Sequence, residues 1–128
     1  MTTTARHPAF VAHTPESDEI TGDRPRLSLL AEFDAHEGPV YFADENALYF
    51  TTLPQPGVDR TPSVQIKRLA LKAPGEIAML TAEANGANGM APDRAGRLVA
   101  CEQGSRWESA RISRLDRTTG EREPVVED

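Results

Sequence analysis

The chain has 128 residues, a net charge of −6 and 27% charged residues, a length that suits one ordinary domain with a real core. Its acidic balance, with a pI near 5.1, argues against a nucleic-acid or anionic-membrane partner, since both favour a basic face. The single cysteine, Cys101, leaves no internal disulfide to form, and no apolar run approaches the roughly 20 residues of a membrane helix. No basic-then-apolar leader is visible, so the expected location is the cytoplasm.

Residues 1–24 read as a flexible tail. They hold three consecutive threonines, Pro8, Pro15 and the acidic run Glu16-Ser17-Asp18-Glu19, with too few apolar residues to offset their ordering entropy. Strands are expected from Arg26 onward, beginning with Leu27 to Phe33. Val40 to Ala43 and Leu48 to Thr52 flank the turn-forming trio Asp44-Glu45-Asn46 and predict a hairpin. Leu53 to Pro62 carries three prolines and Gly57 and reads as a loop. Val64 to Leu71 alternates as a strand, and Glu76 to Thr81 is a further strand after the turn Pro74-Gly75. Ten prolines and the weak 3.6-residue periodicity work against long helices.

The second half repeats this plan. Glu37-Gly38-Pro39-Val40-Tyr41-Phe42 matches Asn88-Gly89-Met90-Ala91-Pro92-Asp93, Ala47 to Thr51 matches Arg97 to Cys101, and Val64 to Leu69 matches Ala110 to Leu115. Turns fall at Arg94-Ala95-Gly96 and Thr118-Thr119-Gly120, and Glu121 to Asp128 is the expected fourth strand. A period of roughly 40 to 50 residues made of short strands is the mark of propeller blades. The chain is therefore expected to be all-β. Two four-stranded antiparallel blades of an incomplete β-propeller fall near 26–82 and 83–128, within a domain spanning 25–128. Propellers close with about four to eight blades. In this alignment Glu37 and Asn88 take the same place at the start of successive inner strands, where polar side chains can face a common axis and offer oxygen to a hard cation.

These motifs, together with Gly96-Arg97-Leu98 and Cys101-Glu102-Gln103-Gly104-Ser105-Arg106, resemble the opening of the gluconolactonase and regucalcin family over residues 26 to 128. The resemblance implies a six-bladed propeller that hydrolyses lactones or related esters with a divalent cation, calcium or else zinc, in its channel. It makes Glu37 a metal ligand and Asn88 a channel-lining, substrate-contact residue. The third-blade motif, the remaining ligands and the aspartate that would act as base or nucleophile have no counterpart, so no catalytic residue is assigned. The expectation is an N-terminal fragment that is inactive alone. The alternative is a stand-alone β module that binds a partner or itself through open faces and edges, without catalysis. A third possibility is a ring closed by several copies.

Other residues carry plainer readings. The residue four after His36 is Val40 in a strand-like segment, so His36-Glu37 is no zinc-protease motif. Gly86-Ala87-Asn88-Gly89 precedes Pro92, which denies a phosphate-binding loop its helix. Cys101 falls mid-strand, with no histidine after residue 36 to activate it. Trp107 reads as a loop or edge aromatic.

Overall fold

The computed structural model describes residues 9–22, 24–57, 62–72 and 74–127. It is nearly all strand. A short helix, α1 (Ser17–Thr21), lies in the segment expected to be a tail and buries none of its residues. The first eight residues of that segment fall outside the described residues.

Sheet 1 contains β1 (Ala35–Phe42), β2 (Ala47–Thr52), β5 (Ile66–Ala70) and β6 (Glu76–Thr81), hydrogen-bonded in that order. Sheet 2 contains β7 (Ala87–Pro92), β8 (Leu98–Glu102), β9 (Arg111–Leu115) and β10 (Arg122–Glu127), again in chain order. Every neighbouring pair is antiparallel. The double repeat of the sequence is thus a double meander. The strand expected at Glu121 to Asp128 forms as β10, Asp128 itself lying outside the described residues. The loop expected at Leu53 to Pro62 contains a small ribbon, β3 (Gln55–Pro56) paired with β4 (Pro62–Ser63). Its prolines are tolerated because a two-residue ladder asks little of the backbone N–H groups. Residues 58–61 lie outside the described set.

One strand expectation is corrected. Leu27 to Phe33 forms no ladder. It runs as an extended strap against sheet 1, held at its C-terminal end by side-chain contacts. Phe33 stacks on Phe50 at a centroid distance of 4.7 Å. Asp34 pairs with Lys67 at 2.9 Å, and its carbonyl accepts from Leu53 N. Gly75 lies directly under the Leu30 backbone.

The core lies between the two sheets. Val40, Phe42, Ala47, Tyr49 and Ile66 of sheet 1 meet Ala87, Leu98, Ala100 and Leu115 of sheet 2, with Leu80 and Met90 packed against them. Phe42 and Tyr49 meet edge-on at 5.5 Å, a favoured aromatic geometry. The alternation of burial shows how each sheet is covered. In β2, Tyr49, Phe50, Thr51 and Thr52 are all buried, so both faces are covered. In β8 and β9, Leu98, Ala100, Glu102, Ser113 and Leu115 are buried while Cys101 and Ile112 are exposed. Sheet 1 is sandwiched between strap and sheet 2, whereas sheet 2 is covered on one face.

One arginine ties the turns together at one end of the two sheets. Arg117, from the β9–β10 turn, pairs with Asp44 at 2.8 Å and Glu45 at 2.7 Å in the β1–β2 turn. It also donates to the Gly96 carbonyl in the β7–β8 turn, and its guanidinium lies 3.8 Å from the Phe42 ring centroid. Such a planar, charged group on an aromatic face is a cation–π contact. Glu45 also accepts from Tyr49 and Arg68, each at 2.8 Å. Burial, and then the hydrogen bond to Glu45, push the Tyr49 hydroxyl up to about 12.

Replacing Phe50 by Ala is expected to cost about 3–5 kcal/mol, as for a fully buried aromatic. Phe33→Ala is expected to cost clearly less, because Phe33 is 37% exposed. Urea unfolding of both variants checks this. Phe50 lies on the strap face, outside the inter-sheet cluster, so equal losses would mean that the Phe33 ring supplies most of its cover.

Candidate functional site

The inner strands β1 and β7 lie side by side. Each is irregular near its start: the register shifts between Glu37 and Val40 in β1, and between Ala87 and Met90 in β7. A bulge of this kind turns side chains away from the regular pleat and is common beside functional sites. Gly38, at φ +62°, makes the approach of the two strands possible. A Cβ there would sit on the Asn88 carbonyl oxygen and only 3.1 Å from Met90 N. The Thr51 hydroxyl donates to the Glu37 carbonyl at 2.9 Å and lies 3.4 Å from the Asn88 carbonyl. This buried hydroxyl fastens the backbones of both predicted site residues to β2.

The consequence is a shared cleft. Glu37 and Asn88 line one cavity of about 340 Å³ together with His36, Thr52, Gln103, Ser105 and Arg106. The two residues singled out by the repeat are therefore brought together. Glu37 carries the charge: its carboxylate is about half exposed and lies 3.3 Å from His36 Nδ1. Asn88 turns its side-chain oxygen to the backbone, where Oδ1 accepts from Gly89 N at 2.6 Å.

This donor set can be weighed against a divalent cation. Calcium takes six to eight oxygens. The cleft offers one carboxylate, and the Asn88 side-chain oxygen is already engaged. Among the described residues no three His, Cys, Asp or Glu side chains converge as a metal-binding group. The residues present do not by themselves fit a bound cation. They fit at most one contribution to a site completed from elsewhere. Cys101 is exposed on the outer face of β8 and Trp107 on a loop, and neither lines the cleft with Glu37.

Sequence reasoning missed a second polar centre. Glu102, which reads as an ordinary strand residue, is buried on the inward face of β8. Its carboxylate pairs with Arg111 at 2.8 Å and with Arg122 at 3.1 Å, and accepts from Asn85 Nδ2 at 2.9 Å. Glu108 joins both arginines from the loop above. The usable signal was the alternation in β8, which puts Glu102 on the side of Leu98 and Ala100, and the match of its charge to Arg111 and Arg122 on the next two strands. Burial pushes the Glu102 carboxyl up, but the nearby Ser113 hydroxyl, the hydrogen bond from Asn85, the Arg122 charge and the Arg111 hydrogen bond together hold it below its ordinary value. Glu45 behaves alike: burial raises it, and Arg68, Tyr49 and Arg117 more than offset that.

Comparisons of the chain with protein-family models, with curated proteins and with solved structures gave no match. No helix among the described residues is long and apolar enough to cross a membrane.

Two predictions follow from this polar chemistry. A carboxyl depressed in the folded state adds stability that is complete above its unfolded pKa of about 4.3 and is lost as pH falls through the folded value. Stability is therefore expected to be level above about pH 5, where both carboxyls are ionised in either state, and to decline below about pH 4. Glu102→Gln leaves two arginines facing a neutral amide, so it is expected to cost about 3–5 kcal/mol at pH 7 and to flatten the acid decline. Urea midpoints from pH 3 to 8 read both effects; an unchanged acid profile in the variant would contradict the assignment. Gly38→Ala is expected to lower the melting temperature by several degrees, because a positive φ and the Asn88 carbonyl both oppose a side chain. A neutral outcome would mean that the inner strands are not held in this contact.

Proposed function

We propose that the two sheets are consecutive blades of a propeller of the lactone- and ester-hydrolase kind, in which Glu37 faces the channel as one ligand of a divalent cation and Asn88 faces the substrate. The observation that carries this reading is the convergence of Glu37 and Asn88 in one cleft, each at the irregular start of an inner strand. The meander order of both sheets and the resemblance over residues 26 to 128 support it. The ligand count sets its limit. One carboxylate cannot hold a catalytic cation in fixed geometry, and the gain from a Lewis acid depends on that geometry. On this reading the 128 residues alone do not turn over a lactone, and activity needs further blades that supply the remaining oxygens.

A second reading is favoured by one specific observation. Sheet 2 presents Cys101, Ile112 and Val126 bare on its outer face, which suits a β module that binds a partner without catalysis.

The test is a pair of assays. The chain alone, with calcium or zinc, is expected to hydrolyse gluconolactone and a phenyl ester no faster than buffer. Fused to the four remaining blades of a complete propeller lactonase, it is expected to gain cation-dependent turnover, and Glu37→Gln is expected to reduce that turnover by at least a hundredfold, a loss typical of a displaced catalytic group. A fused protein that is inactive, or whose turnover survives Glu37→Gln, contradicts the proposal. Metal-dependent turnover by the chain alone, abolished by Glu37→Gln, replaces it with a site assembled between copies.

A further inference from the structure

Trp107 is the only tryptophan in the chain, and it is 73% exposed. An indole left in water forgoes one of the largest apolar burials a side chain offers. The loop that carries it is nonetheless tightly held. Ser105 Oγ accepts from Trp107 N at 3.2 Å and from Glu108 N at 3.1 Å, and Ser105 N donates to the Glu108 carbonyl at 2.8 Å. Gln103 N and Gly104 N donate to the Gly86 and Asn85 carbonyls just before β7, each at 3.2 Å. The indole is thus presented on a braced turn. It stands at a second cavity of about 320 Å³, walled also by Val64, Glu83, Asn85 and Glu108. Pro62, Val64, Gly86 and Ser105 line both this cavity and the cleft of Glu37 and Asn88. The two are lobes of one groove, and each lobe is within the size range of small-ligand pockets.

The charges around the second lobe select its ligand. Glu108 has its charge met by Arg111 and Arg122, but Glu83 has no ion-pair partner among the described residues, so an anion is disfavoured. A cation is disfavoured as well. The Arg106 guanidinium already lies 5.8 Å from the indole centroid, within reach of a cation–π contact. What fits is a neutral ligand with an apolar face for the indole and Val64 and with O–H donors for the acceptors beside them. One such acceptor is the Glu83 carboxylate. The other is on Asn85, which is 7% exposed. Its Nδ2 donates to Glu102 at 2.9 Å and to the Ser109 carbonyl at 3.0 Å, while its Oδ1 has no hydrogen-bond partner among the described residues. A buried acceptor left without a donor is uncommon in a folded protein. A pyranose ring has the required make-up: one face of C–H groups and a rim of hydroxyls that donate and accept.

We propose that the second lobe binds a neutral pyranose ring stacked on Trp107, so that the groove takes a lactone carrying a glycosyl group. The lactone lies at Glu37 and Asn88 and the sugar at Trp107, Glu83 and Asn85. Ser105, shared by the two lobes, falls at the linkage between them. In the hydrolysis, the OH of a water joins the lactone carbonyl carbon, and its other hydrogen goes to the ring oxygen as the ring C–O bond breaks. The glycosidic bond stays intact. The lactone half of this inference rests on the hydrolase reading above. The sugar half stands on the second lobe alone and needs no cation.

Because the chain has a single tryptophan, its indole fluorescence reports on this lobe. The metal-free chain is titrated with cellobiose, with anionic sodium glucuronate and with cationic glucosamine hydrochloride. Cellobiose is expected to shift the emission and saturate, and the two charged sugars are expected to bind at least tenfold more weakly. Glu83→Ala is expected to weaken cellobiose about tenfold, as for loss of a hydrogen bond to a charged group, with an unchanged circular dichroism spectrum. In the fused propeller, kcat/KM for cellobionolactone is expected to exceed that for gluconolactone at least tenfold, and Trp107→Leu is expected to erase that ratio. An emission that cellobiose leaves unchanged, or that a charged sugar shifts with equal affinity, overturns the sugar site. So does cellobiose binding that Glu83→Ala leaves intact. A fused protein that turns over both lactones with equal kcat/KM, or whose preference survives Trp107→Leu, overturns the glycosyl-lactone assignment. A fused protein inactive toward both lactones overturns the hydrolase reading and the lactone half with it, and the fluorescence titration then decides the sugar site by itself.

Discussion

Tyr49 and Ile66 of sheet 1 and Leu98, Ala100 and Leu115 of sheet 2 belong to one cluster and have almost no surface left. Neither sheet can bury this apolar face alone. Burying these side chains against each other is the main favourable term available to a chain this size. The polar features depend on it. Tyr49 reaches Glu45 because its ring is held edge-on to Phe42. Arg117 reaches Asp44 and Glu45 because sheet 2 is pressed close enough to sheet 1 to place its β9–β10 turn beside the β1–β2 turn.

The same contact positions the candidate site. Packing the two faces together brings the starts of β1 and β7 side by side, and Gly38 lets the strands touch where any other residue would hold them apart. Thr51 then ties both backbones to β2. The cleft with Glu37 and Asn88 opens at the end away from the Arg117 turns. One end of the layered pair is closed by ion pairs between turns. The other opens into a polar cleft walled by the starts of β1 and β7, the end of β2 and the loop after β8.

Much of this was legible in the residues. The matched motifs beginning at Glu37 and Asn88 gave two meanders with turns where Asp44-Glu45-Asn46 and Thr118-Thr119-Gly120 stand, because local turn chemistry and strand alternation agree there. The strap was misread as a strand. Leu27 to Phe33 has strand-like composition, but whether it forms a ladder depends on a free edge at the right distance, which local sequence does not encode. Arg117 was invisible for a related reason. Its partners Asp44 and Glu45 lie in the other repeat, and the corresponding turn residues give no sign of the pairing. Glu102 went unremarked because a glutamate on a strand is ordinarily solvated, and its burial follows from two arginines on strands that come later in the chain.

The central claim is that sheet 1 is covered on both faces and sheet 2 on one. Native-state hydrogen exchange, resolved by residue, tests it most directly. Amides of β2 and β5 are expected to exchange through global unfolding, with the largest protection in the chain. Those of β9 and β10 are expected to exchange through a smaller opening that frees the outer strands of sheet 2 first, because few buried contacts hold them on that side. Equal protection across both sheets, or greater protection in β10 than in β2, would contradict the layered account.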